Sequence, residues 1–156
     1  VDKVGASLLF RVGTCICAIP LEHVVETMRP LPIDALAGMP ELVLGVAVIR
    51  GAPVPVVDVG RLVVMTGGGA HERRRFVTLA IDAGARRVAL AVDDVLGVRW
   101  LPAQAGDDLP PLLGGGRSDG VAALRSLDAG LLVVLDAARI VPESVWAAVA
   151  AATVPS

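Results

Sequence analysis

Nucleophilic or metal chemistry in this chain would have to come from Cys15, Cys17, His23 and His71, since the sequence holds only two cysteines and two histidines. A nucleophile needs a base within hydrogen-bond reach, and a redox or zinc pair of cysteines wants two residues between them. Cys15-Ile16-Cys17 offers one. Residues two apart on a strand point to the same face, so the pair is expected to pack as small apolar groups. His23, beside Val24, is expected on a barrel surface, and His71, in TGGGAHE, in a solvated linker. A His/Cys metal site would need all four side chains to converge. Asp93 and Asp94 are adjacent and face opposite ways on a strand, which excludes a paired acid and base. The glycine runs at 67–69 and 114–116 lack the Gly-Lys-Ser/Thr of a phosphate cradle. A small barrel enzyme using Cys15 or His23 stands as the alternative class.

Asp58 with Arg61, and Asp136 with Arg139, sit three apart, as a capping carboxylate and its ion-pair partner would. Arg50 is different. It lies inside GVAVIRGAPVPVV, so its guanidinium has to emerge from an apolar rim. That is the setting of an interface anchor, or of an arginine whose stem runs along a barrel surface.

The elements that must position these residues are short. Runs of Val, Ile and Leu bounded by Gly, Pro and Asp predict strands throughout. SLLFRV and CICAIP are joined by a hairpin turn at Gly13-Thr14, and HVVETMR follows. Pro40-Glu41-Leu42 is expected to open one helical turn. GVAVIR and PVPVVD form a hairpin across Gly51-Ala52, and Pro53 and Pro55 place the second strand at an edge or irregular part of a sheet. PESVWAAVAAA predicts a terminal helix docked through Trp146.

The second half repeats the first. Gly13, Ala18, Glu22 and Val24 match Gly84, Ala89, Asp93 and Val95, each 71 residues later; GVAVIR returns as GVAALR after 75, and Asp58, Arg61 and Leu62 as Asp136, Arg139 and Ile140 after 78. This alignment gives Arg50 a counterpart in Arg125. An internal duplication of one all-strand unit is implied. Each unit would close as a small barrel, and two would share a core that neither could build alone, leaving a groove at the seam.

A chain that is 54% hydrophobic and 19% charged is not disordered. Its apolar runs are far shorter than the roughly 18 residues of a spanning helix, so membrane insertion is not expected. The start, VDKVGASLLFRV, lacks a signal-peptide layout, and a cytoplasmic location is expected. A net charge of −2, no tyrosine, two Phe and two Trp leave neither the charge nor the stacking surface for nucleic acid. Arg73 to Arg75 form the one dense basic cluster and are expected in a solvated linker.

Three blocks, VLGVAVIRGAPVPVVDVGRL (Val43 to Leu62), RVALAVDDVLGV (Arg87 to Val98) and LLVVLDAARIV (Leu131 to Val141), together resemble the CheW family of bacterial chemotaxis coupling proteins. The resemblance runs from Leu8 to Val141. It implies a mostly β fold, two SH3-like five-stranded barrels within a single CheW-like domain spanning 1–156. The barrels are expected at 8–64 and 76–141, with a linker at 65–75 and a helix at 142–152. It also implies a non-catalytic adaptor without cofactor or metal, which holds a chemoreceptor's cytoplasmic tip and the regulatory domain of the histidine kinase CheA. By the same resemblance the receptor face comprises Val24, Glu26, Gly45, Arg50, Gly51, Val95 and Val98, with Val24 and Glu26 sharing a strand face, and Ile33 faces the kinase. Val48 stands where the family usually has Asn, a departure that bears on the receptor contact. The alternative within the adaptor class is a CheW-like module of a larger protein, such as the kinase's own regulatory domain or a receiver-fused coupling protein.

Overall fold

The computed structural model describes residues 4–63, 74–102, 120–127 and 130–152. His71, Arg73, most of the expected linker and both glycine runs lie outside the described residues. In chain order the elements are β1 (Val4–Val12), β2 (Cys15–Pro20), β3 (Val24–Met28), β4 (Val43–Ile49), β5 (Ala52–Asp58) and α1 (Val59–Leu62). The second half supplies β6 (Arg75–Ile81), β7 (Arg86–Val92), β8 (Asp94–Pro102), β9 (Val121–Leu127), β10 (Gly130–Leu135) and α2 (Glu143–Ala152). They form two five-stranded sheets, ordered β8-β1-β2-β10-β9 and β3-β6-β7-β5-β4. The mostly β, double-barrel architecture is the one expected.

The assignment of strands to barrels is not. Residues 8–64 and 76–141 do not each close one barrel: each sheet takes two strands from one half and three from the other. A short turn at Leu21–His23 carries the chain from the first sheet to the second, and Asp93 marks the return crossing. There the Asp93 N–H donates to Arg11 O and its carboxylate accepts from Gly13 N–H at 2.8 Å, tying the crossing to the β1–β2 turn. Exchange lets each half of a small duplicated chain complete the other's barrel, so neither is left with an uncovered face.

The duplication itself survives as a near twofold. Substituting each strand by its equivalent converts one sheet order into the other. The pairings agree residue by residue: Val56 lies opposite Ala89 in the parallel β5–β7 ladder, and Val134 opposite Ala18 in β10–β2. Asp58 N–H donates to Leu42 O, and Asp136 N–H to Gly120 O. This last match corrects the sequence alignment. Gly120 is the structural counterpart of Leu42, not of Gly45, and Arg125 corresponds to Ala47. The counterpart of Arg50 is position 128, outside the described residues. The residue there is an aspartate, so the arginine itself is not repeated.

Alternation along the strands sorts side chains into three cores. On β7, Ala89 and Ala91 point into their own barrel with Ala47, Ile49, Val54, Val56 and Phe76, while Val88, Leu90 and Val92 point into the layer between barrels. Along this strand the alanines face the barrel interior and the larger side chains the seam. Leu8, Phe10, Cys17, Ile19, Val77 and Leu79 join that shared layer, and Leu9, Ala18 and Leu132 fill the other barrel. Val145 and Val149 of α2 close the shared layer from outside. They, rather than Trp146, are the fully inserted anchors of the helix. Trp146 packs half-buried beneath the Arg86 guanidinium, 5.1 Å from ring to cation, and Arg86 forks onto Glu143 at 2.7 Å.

Two local expectations are also corrected. Pro40 to Leu42 form a single turn closed by Val43 N–H on Pro40 O, not a helical turn. β5 lies inside its sheet, between β4 and β7; it tolerates Pro53 and Pro55 because the β7 ladder begins only at Val56, so no donor is needed at either proline. Both capping carboxylates are as expected: Asp58 accepts from Gly60 N–H and lies 3.6 Å from Arg61, and Asp136 accepts from Ala138 N–H.

Candidate functional site

Ile49 pairs with Ala52, so the turn of the β4–β5 hairpin is Arg50-Gly51, one residue earlier than the expected Gly51-Ala52. Both turn residues have positive φ, 54° and 79°, as a two-residue hairpin matched to strand twist requires. Glycine accepts this freely; for an arginine it costs about 1 kcal/mol. The strained backbone aims the Arg50 side chain back over the sheet. Its Nη2 and Nε donate to the Glu26 carboxylate at 2.7 and 3.1 Å, a bidentate fork. β3, which carries Glu26, and β4 are the two ends of their sheet, so the pair joins edges that the curl of the barrel brings together. Arg50 remains 76% exposed and Glu26 26%. The guanidinium is thus held in place and still open to a partner.

Hydrogen bonding from Arg50 holds the Glu26 carboxyl below the usual glutamate range, with Arg87 adding its charge, and Glu26 in turn raises Arg50. A carboxylate with a lowered folded pKa contributes stability above its unfolded pKa, and that contribution is lost as pH falls through the lowered value. So exposed a pair is also weakened by salt. A carbon-detected NMR titration is expected to place Glu26 below the ordinary glutamate value, and Arg50→Met to move it back up. A Glu26 midpoint insensitive to Arg50→Met would contradict the fork.

Val24 and Glu26 do not share a face. Val24 lies opposite Leu79 and Glu26 opposite Thr78, which are neighbours on β6, so Val25 is an extra, bulged residue that reverses the phase. Val24 packs on the shared layer, whereas Glu26 points to the barrel side with Met28. The same bulge recurs at Leu96: Val95 lies opposite Phe10 and Gly97 opposite Leu9. Here it puts Val95 and Val98 on one face, Val95 against the shared layer and Val98 half-exposed opposite Leu8.

Gly45 is buried, not a contact surface. At φ 148° its α-carbon lies under the chain that crosses β4, and a Cβ there would meet the Asp34 carbonyl and the Ile33 Cγ2. Asp34 is fixed above it by reciprocal backbone hydrogen bonds with Val46 of 2.8 Å. Ile33 is half-buried in the same barrel core rather than turned outward. Val48 is exposed one residue pair from the turn, opposite Pro53.

The alternative catalytic residues come off poorly. Burial pushes the Cys17 thiol up to about 12 and raises Cys15 as well, which disfavours the thiolate a nucleophile needs. His23 sits half-buried in the crossing turn. Among the described residues, no three His, Cys, Asp or Glu side chains gather as metal ligands, and no helix is long and apolar enough to cross a membrane.

Two supporting residues were not singled out by sequence reasoning. The buried Thr78 hydroxyl donates to Glu26 O at 3.2 Å and steadies the bulged strand. Trp100, on β8, is 68% exposed. Its alternation with Val98 is readable in VRW, but its exposure needed the register with β1.

Two strand-exchanged barrels sharing one core, with an ion-paired arginine at a hairpin tip, define the class of double-barrel β folds. The chain belongs to the CheW-like family: the family's domain model matches residues 6–145. It is 34% identical over 106 residues to protein FrzA of Myxococcus xanthus, a match covering 68% of this chain and 64% of FrzA. The fold is that of the scaffolding protein TtCheW from Thermoanaerobacter tengcongensis, whose crystal structure superposes with a TM-score of 0.66 at 19% identity, over 86% of this chain and 90% of that one. Membership gives the chain a CheW-like domain, and the match spans just under two thirds of FrzA's own length.

Proposed function

We propose that this chain is an adaptor that engages a chemoreceptor's cytoplasmic tip and the regulatory domain of a CheA-type histidine kinase, at the cytoplasmic face of the membrane and without catalysing a reaction. The observation that carries the reading is Arg50. It occupies a strained backbone position, is pinned by Glu26 yet open to solvent, and is not a repeated element of the duplication. A residue kept at a conformational cost, whose counterpart in the second half is not an arginine, fits an interface anchor. Glu26 and Gly51 orient it, and Val95 and Val98 supply apolar surface on the other barrel. Gly45 and Ile33 act from beneath, by supporting β4 and the segment that crosses it.

A helical receptor tip suits such a surface, since a helix can lay an apolar face against it while a charge fixes its position. The kinase's regulatory domain then binds elsewhere on the barrels. The test is co-purification with a kinase regulatory domain and receptor tip fragments from the same genome. A ternary complex with no nucleotide or ester turnover is expected; failure to bind either partner at micromolar concentration would reject the reading.

A further inference from the structure

We infer that Trp100, together with Val98, is an apolar anchor for a helical receptor tip; this rests on the adaptor reading above. Trp100 is the most exposed large apolar side chain among the described residues, and Val98 is 50% exposed. The two lie on one face of β8, opposite Ala6 and Leu8 of β1. Because the bulge at Leu96 keeps them in phase with Val95, the three form a strip that runs along one face of β8 outward from the shared layer.

The duplication supplies an internal control. Thr27 lies opposite Val77 as Val98 lies opposite Leu8, so the counterparts of Val98 and Trp100 in the first half are Thr27 and Arg29. Both are exposed and polar in character; their half carries the same bulge and the same register as far as Met28, and Arg29 follows directly on the end of β3. The fold therefore does not require apolar groups there. A tryptophan left in water next to a valine is a liability for a chain with no use for it, and tryptophan is enriched among the residues that dominate interface energies.

The direction of these side chains selects the occupant. They stand on the face of β8 rather than along its open edge, so a partner must lie across the sheet instead of adding a strand. Residues two apart on a strand are separated by roughly 7 Å, close to the ~5–6 Å between neighbouring positions on a helix surface. An apolar helical ridge matches that spacing. The first barrel contributes the charged anchor, Arg50, and the second the apolar one.

The chain has two tryptophans, and Trp146 is half-buried beneath Arg86, so a Trp146→Phe variant isolates the emission of Trp100. If that variant is poorly folded, iodide quenching of the unmodified chain reports the same exposure. Adding a receptor tip fragment is expected to shift Trp100 emission to the blue. Trp100→Arg, which installs the residue type of Arg29, should weaken tip binding at least tenfold while leaving the melting curve and kinase-domain affinity unchanged. Tip binding that depends on Arg50 but changes less than twofold in Trp100→Arg would overturn this inference alone. A chain that binds no tip at all would overturn the adaptor reading and this inference with it. A blue shift and a dimer on raising the chain's own concentration, both abolished by Trp100→Arg, would assign the patch to a second copy and overturn it too.

Discussion

Gly45→Ala is expected to lower the free energy of unfolding by about 3 kcal/mol, near the upper end of what backbone strain costs. Two effects add. An L side chain at φ 148° is strained whatever the space around it, and the new methyl would be driven into the Asp34 carbonyl, a backbone group that cannot rotate away. The Asp34–Val46 hydrogen bonds would be the first to stretch, and the half-buried Ile33 would be pushed from the barrel core with them. Gly5→Ala is the matching control, since a Cβ there meets nothing within 4 Å. It should be neutral or slightly stabilising, because alanine has fewer unfolded conformations to lose. Urea denaturation of both variants checks the contrast; equal midpoints would refute the close-approach account. Any loss of receptor binding in Gly45→Ala should track the loss of folded protein, as befits a residue that positions β4 without touching a partner.

The structural counterpart of Gly45 shows why this requirement is not a feature of the repeated unit. Ala123, opposite Val134 as Gly45 is opposite Val56, already carries a Cβ. Similar letters in GVAVIR and GVAALR invited a shift of 75 residues, whereas the parallel ladders and the Asp58 and Asp136 hydrogen bonds fix it at 78. Composition and alternation were enough to read strands, hairpins, the caps at Asp58 and Asp136, and the shared core. Strand exchange was not readable, because β3 presents the same alternating pattern whether its neighbour is β1 or β6. Nor were the bulges at Val25 and Leu96, since one extra residue changes which face Glu26 and Val98 occupy without changing their identity. The Arg50-Gly51 turn was misplaced by one for a related reason: a non-glycine residue at positive φ is uncommon, so local preference pointed past it.

Separating anchor from architecture at Arg50 calls for variants that treat backbone and charge independently. Arg50→Gly relieves the strain at φ 54° and leaves a Gly-Gly hairpin turn, so folding should be unchanged or slightly favoured. Receptor-tip binding should nevertheless fall at least tenfold, because the guanidinium is gone. Arg50→Glu goes further by placing a second carboxylate beside Glu26, and should reduce binding more steeply, with little change in the thermal midpoint of so exposed a site. The double variant Glu26→Arg with Arg50→Glu restores an ion pair of reversed order. If the position of the cation is what the partner reads, the swap folds normally and still fails to bind. If the swap regains binding, the tie between the sheet ends matters and the exposed guanidinium does not. Calorimetric titration against one tip fragment resolves all three, and unaltered affinity in Arg50→Glu would move the docking site away from this hairpin.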